Sequence, residues 1–271
     1  MLRIRLWLST LFAASGLFGC FVLAIANATV SDQPKLESGF RWVFNGQDLR
    51  GWHKNPEKIG HGTGGHWFVE DGAITGEQDP PGSGNGGILL TDEKLADFEV
   101  IFETKPDWGC CSGFFVRSSD KGQCYQVMID YHDAGNVGEI YREGLDGVTN
   151  RTFQIDGIYE DADKKILKAI KATRVEKNDK GAGGEPNIRL DDWSKIWKLN
   201  DWNTLRVRVA GNPPTITSWL NGTLISKYTS DEKFEKILGD RGSIALQVHG
   251  GNGWPSGNKV RFRNIQVKGP R

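Results

Sequence analysis

Neither sign of charge is in surplus here: 34 Lys+Arg stand against 34 Asp+Glu across 271 residues. A nucleic-acid binder grips phosphates through a basic excess or stripe, so that class is set aside. Methionine is scarce at two residues, and cysteine amounts to four. No Cys-x-x-Cys pair and no Cys/His spacing of a zinc motif occurs, and the acidic loops lack EF-hand spacing. The sequence therefore gives no reason to expect a metal or a cofactor. No internal repeat of fixed period is visible.

What is abundant is glycine (35) and tryptophan (10), in a chain 38% hydrophobic and 25% charged. That composition excludes disorder and suits a frequently turning all-β sandwich better than a helical bundle. The N-terminus reads differently from the rest. Arg3 and Arg5 precede an apolar run from Leu6 to about Ala26, and Ala26-Asn27-Ala28 has the small-x-small form of a signal-peptidase site. Residues 1–28 are thus expected to be a signal peptide that exports the chain to the periplasm or the outside. An uncleaved anchor, or a lipoprotein modified at Cys20, are the alternatives. Cys110, Cys111 and Cys124 then remain, and either one of the adjacent pair bridges to Cys124 or the three are buried thiols, rather than a catalytic cysteine.

Residues 29–39 are polar and read as a linker, and residues 40–269 as one domain. Trp67 to Thr75 forms a hairpin about an Asp71-Gly72 turn, and Asn221-Gly222 marks a second. Phe98 to Thr104 alternates apolar with acidic residues, and further short strands follow at 112–117, 125–130, 138–142, 204–209, 215–220, 242–249 and 259–267. Asp161 to Glu176 spaces Ala162, Ile166, Ala169, Ile170 and Thr173 as a helix would, so residues 157–200 are expected to be an insertion carrying one short helix. Trp67 and Trp219 lie in strands and are expected in the core.

Several segments resemble the secreted 3-keto-disaccharide hydrolase family. They are Phe44 to Trp52, Trp67 to Gly76, Asp97 to Val100, Ser112 to Arg117, Tyr125 to Asp130, Gly138 to Tyr141, Asp201 to Asn203, Trp219 to Gly222, Leu246 to Gly250 and Val260 to Ile265. The ordered set spans about residues 42–268. The resemblance implies a concanavalin A-like jelly roll and a bacterial, exported glycosidase. Its substrate would be a carbohydrate oxidised to a ketone at sugar carbon 3, supplied by a sugar 3-dehydrogenase upstream. A non-catalytic carbohydrate-binding module on the same fold is the alternative. Family members commonly carry an acidic residue where this chain has Gln126.

Such a ketone acidifies the hydrogen on carbon 2, so the chemistry needs a base, a partner for the enolate oxygen, and an acid for the leaving group. It does not need the paired carboxylates of ordinary glycosidases, and the Glu-x-Asp-x-Glu strand of laminarinase-type enzymes is missing. Strand alternation puts Gln126 and Asp130 on the face opposite Tyr125, Val127 and Ile129, toward a substrate groove. Asp130 is the expected base, unless it serves a turn or a structural cation. His249, sharing a polar face with Gln247, is the second acid–base candidate. Arg117 would meet the enolate oxygen, or else sit in a salt bridge. Glu139 and Tyr141 share a face and would line the groove. Trp108 and Trp254, in glycine-rich loops, would stack on sugar rings. Of the loop histidines His53, His61 and His66, His66 is taken as the substrate contact.

Overall fold

The computed structural model describes residues 36–147, 150–161, 166–178 and 181–270. The proposed signal peptide and most of the linker lie outside them. Sixteen strands and two short helices follow in chain order. The first strands are β1 (Arg41–Trp42), β2 (Trp52–Lys54), β3 (His66–Glu70), β4 (Ala73–Glu77), β5 (Gly87–Leu95) and β6 (Phe98–Thr104). The middle holds β7 (Cys110–Ser118), β8 (Cys124–Tyr131), β9 (Asn136–Glu143), β10 (Phe153–Tyr159), β11 (Leu167–Arg174) and α1 (Leu190–Ile196). The chain closes with β12 (Asn203–Ala210), β13 (Thr215–Leu220), β14 (Thr223–Thr229), α2 (Glu235–Leu238), β15 (Gly242–Val248) and β16 (Val260–Lys268).

Two antiparallel sheets make a sandwich. One runs β14-β13-β12-β6-β16-β4-β3 with β1 also on β16, and the other β2-β5-β15-β7-β8-β9. Alternation explains the layers. On β6, Phe98, Val100 and Phe102 are buried, while Glu99 and Glu103 point outward to Arg206 and Arg263. β12 matches it in register, Leu205 opposite Phe102 and Val207 opposite Val100. Phe102 stacks on Phe114 of β7 with ring centroids 3.9 Å apart, which ties the sheets together through the core. This is the expected jelly-roll sandwich, and both expected hairpin turns fall where they were placed.

Three local expectations give way. The helix expected over 161–176 is strand β11, paired antiparallel with β10 in a separate two-stranded sheet. Ile166, Ile170, Thr173 and Val175 are β-branched and poor helix formers, and β10 offers a pairing edge that satisfies the backbone of this segment. Ala162 itself lies outside the described residues. The insertion's helix is instead α1, whose Trp193 is fully buried and stacks on Trp197 at 5.6 Å. Of the two cysteine alternatives the bridge gives way: among the described residues Cys110, Cys111 and Cys124 are free thiols, with Cys110 and Cys124 buried. Cys111 pairs with Asp130 at one end of the β7–β8 ladder, whereas Cys124 begins β8 at the other, too far along the strands to bridge. Trp67 is buried as expected, but Trp219 is only half-buried, on the outer face of the larger sheet.

Candidate active site

The outer face of the six-stranded sheet gathers the polar residues. On β8, Tyr125, Val127, Ile129 and Tyr131 enter the core, so alternation turns Gln126, Met128 and Asp130 outward. Asp130 is the register partner of Cys111 on β7, and the His249 N–H donates to the Cys111 carbonyl at 3.3 Å. His249, Cys111 and Asp130 therefore stand in one row across three neighbouring strands. His249 and Cys111 border a cleft of about 790 Å³, walled also by Trp108, His132, Tyr159 and Trp254, with Asp130 behind Cys111. That volume suits a small-molecule ligand.

The His249 side chain is half-buried, and its Nδ1 donates to the Gly250 carbonyl. This hydrogen bond fixes the proton on Nδ1 and leaves the Nε2 lone pair available. Burial, followed by the neighbouring His61 ring 4.9 Å away, lowers its pKa and keeps the imidazole neutral. Buried Gln78 holds the loop in place, donating to the carbonyls of His249 at 3.0 Å and Gly251 at 2.9 Å. Burial pushes Asp130 up to about 6, against the pull of His132, the Cys111 thiol and Arg151. The Cys111 thiol donates to Asp130 Oδ1 at 3.3 Å. Burial and the Asp130 carboxylate raise the thiol well above its usual range.

Behind this row lies a closed polar network. Gln126 Nε2 donates to Gln247 Oε1 at 3.2 Å, and Gln247 Nε2 meets His61 Nε2 at 3.1 Å, which also lies 3.4 Å from Glu143 Oε1. The Gln126 side chain crosses directly over Gly113, where an added Cβ would come within 2.5 Å of it. Gln126 and Gln247 are both buried. They hold His61 against the sheet rather than touching a ligand in the cleft.

Other expected residues stand elsewhere. Arg117 is 1% exposed at the far end of β7, bound to Asp97 Oδ1 at 3.0 Å and to the carbonyls of Ala96 and Gly211 at 3.1 and 2.9 Å. Its φ of 51° breaks the strand alternation that would have turned it outward beside Phe115. Glu139 is buried on β9, beneath Thr152, whose N–H and hydroxyl both donate to it, and beside Asn136 Nδ2 at 2.9 Å. Burial pushes its pKa up to about 7. Tyr141 is half-buried next to Gln126 and does not wall the cleft. His66 lies exposed on β3 of the opposite sheet, 3.0 Å from Glu77. His61, five residues earlier, is the loop histidine that joins the site.

Trp108 and Trp254 do wall the cleft. Trp254 is buried, with its indole N–H donating to the Asn258 carbonyl, so it offers only an edge. Trp108 donates to the Tyr159 hydroxyl at 3.0 Å, and that hydroxyl donates to Asp133 Oδ2 at 2.6 Å. Tyr159 belongs to the 157–200 insertion, which therefore supplies part of the wall. No metal was expected from the sequence beyond a structural cation as the alternative role for Asp130, yet Cys111, Asp130 and His132 bring three donor atoms within 4.8 Å of one another.

The family model described as the 3-keto-alpha-glucoside-1,2-lyase-like domain matches residues 39–268. No curated protein matches the sequence. Among solved structures, a candidate glycosyl hydrolase from Parabacteroides distasonis ATCC 8503 is similar at 18% identity and a TM-score of 0.49, over 86% of this chain and 95% of that one. The carbohydrate-binding module CBM66 from Bacillus subtilis is similar at 12% identity and 0.47, covering 80% and 95%. A Bacillus licheniformis β-glucanase is similar at 12% identity and 0.39, covering 88% and 96%.

Proposed function

The chain belongs to the 3-keto-alpha-glucoside-1,2-lyase-like family, and from that premise we propose that it cleaves glycosides bearing a ketone on sugar carbon 3. His249 Nε2 removes the hydrogen from carbon 2. The electron pair of that C–H bond moves onto the ketone oxygen as an enolate, then returns to form the C1=C2 double bond as the C1–O bond breaks and the departing oxygen takes up a proton. The products are an unsaturated 3-keto sugar and a free alcohol, and addition of water across the double bond completes net hydrolysis. The Cys111–Asp130–His132 side of the cleft faces the ketone, and the rims at Trp108 and Trp254 hold the ring.

The observation that carries this reading is the His249 imidazole on the wall of a cleft of about 790 Å³, its Nδ1 tied to the Gly250 carbonyl and its Nε2 left for a proton. General-base catalysis from such a group is worth roughly 10²–10⁴-fold. We also assign the protein to the exported compartment, on the strength of its N-terminal segment, and place an upstream sugar 3-dehydrogenase before it as the source of the ketone. Incubating the purified protein with a 3-keto disaccharide and its unoxidised parent in parallel is the test. Cleavage of the oxidised sugar alone is expected. An oxidised sugar bound but left intact would make the protein a binding module, and cleavage of the parent would make it an ordinary glycosidase.

A further inference from the structure

Arg117 cannot reach the cleft, which leaves the ketone oxygen without its expected cationic partner. A different set of groups stands where one is needed. Asp130 and His132, two residues apart, flank the end of β8, and Cys111 is the register partner of Asp130 on β7. Their donor atoms all lie within 4.8 Å of one another, and Cys111 Sγ is 3.3 Å from Asp130 Oδ1. Bond lengths of about 2.0–2.3 Å to nitrogen, oxygen and sulfur give a tetrahedron with edges of about 3.3–3.8 Å. The Cys111–Asp130 edge already has that length, and the remaining adjustment is about 1 Å. His132 Nδ1 donates to the Asp133 carbonyl at 2.7 Å, which leaves Nε2 as its ligating nitrogen. A backbone carbonyl holding the far nitrogen is the usual outer support of a metal-bound histidine.

We propose that Cys111, Asp130 and His132 form a three-donor site for a zinc-like divalent transition cation, with its fourth position open to the cleft. Thiolate and imidazole select zinc or cobalt over magnesium and calcium. Cys111 and His132 both wall the cleft, so the vacant coordination position faces the space a ligand would enter. Three protein ligands plus one open position is the arrangement of catalytic rather than structural zinc. Binding displaces the Cys111 thiol proton to solvent. The cation would stand across Cys111 from His249, on the side assigned to the ketone oxygen, and would stabilise the enolate as a Lewis acid. That role rests on the proposed reaction; the site itself rests on the donor geometry alone.

The test uses the purified protein, stripped with a chelator and titrated with Co²⁺ and then Zn²⁺ in the absence of sugar. One cobalt per chain is expected, with a near-ultraviolet thiolate-to-metal charge-transfer band that zinc abolishes. Cys111→Ser should lose the band, and His132→Gln should weaken cobalt binding by more than the roughly 10–100-fold typical of losing an outer-shell partner. In the unaltered protein, Zn²⁺ should also protect Cys111 from a thiol reagent, because Cys110 and Cys124 are buried. No band at saturating cobalt and no protection by zinc would overturn the site, as would equal metal binding by Cys111→Ser. Those results would leave the proposed reaction standing. A band without turnover of any 3-keto glycoside would do the reverse, keeping the site and removing the reaction.

Discussion

The two ends of β7 put similar chemistry to different use. At its C-terminal end Arg117 is enclosed, its guanidinium shared among Asp97 and the carbonyls of Ala96 and Gly211, the first two in the turn that crosses from β5 to β6 between the sheets. At its N-terminal end Cys111 stands between His249 and Asp130 on the border of an open cleft. One end commits its guanidinium Nε and Nη2 to internal partners and clamps the sandwich. The other leaves a histidine nitrogen and a three-donor cluster facing space. Charge alone does not mark a site; what marks it is polar groups held in place with a bonding position still facing the cleft.

Substitutions at each end should separate these roles. The largest effect is expected from His249→Ala, which should lower kcat on a 3-keto disaccharide by roughly 10²–10⁴-fold with little change in thermal midpoint. A drop confined to KM would reduce His249 to a binding contact.

Glu139 comes next. Its folded pKa of about 7 lies above the ordinary carboxyl value of 4.5, so over that range the native state holds a proton that the unfolded chain releases. Stability should therefore fall as pH rises from about 4.5 through about 7, by up to about 3 kcal/mol from this group. Glu139→Gln keeps an oxygen for Thr152 N–H and Asn136 and adds an N–H for the Thr152 hydroxyl. It should flatten that slope in denaturant melts at several pH values, and an unchanged slope would place the proton elsewhere.

Arg117→Met should cost about 1–3 kcal/mol, since the buried carbonyls of Ala96 and Gly211 lose their donor, while turnover per folded molecule stays the same. A loss of turnover without a loss of stability would return Arg117 to the chemistry. The smallest effect is expected at His66→Ala, within about 0.5 kcal/mol and without change in rate, because the side chain is exposed on the opposite sheet.

Much of this was legible in the sequence because alternation is local. Phe98 to Thr104 declared both faces of β6, and Tyr125 to Tyr131 correctly turned Asp130 outward. Gln247 and His249 followed from the same rule on β15. The rule failed where the backbone left it. Arg117 sits at a positive φ, and nothing in Phe114-Phe115-Val116-Arg117 announces that irregularity. β11 was misread because its spacing fits both periods, and only its pairing with β10 decides between them. Choosing His66 over His61 failed for a related reason. His61 is positioned by long-range contacts, its carbonyl accepting from Gly86 N–H and its ring meeting Gln247. The Cys111–Asp130–His132 cluster combines one position in β8, one just past its end, and a register partner 19 residues before Asp130, a spacing that no linear motif describes.

The central claim is that cleavage begins with loss of the hydrogen on carbon 2. Running the reaction on a 3-keto disaccharide in deuterated water and reading the released 3-keto sugar by NMR tests it directly. The account predicts one deuterium at carbon 2 of the hydrated product, disappearing together with turnover in His249→Ala. Cleavage that leaves the original hydrogen on carbon 2 would contradict it.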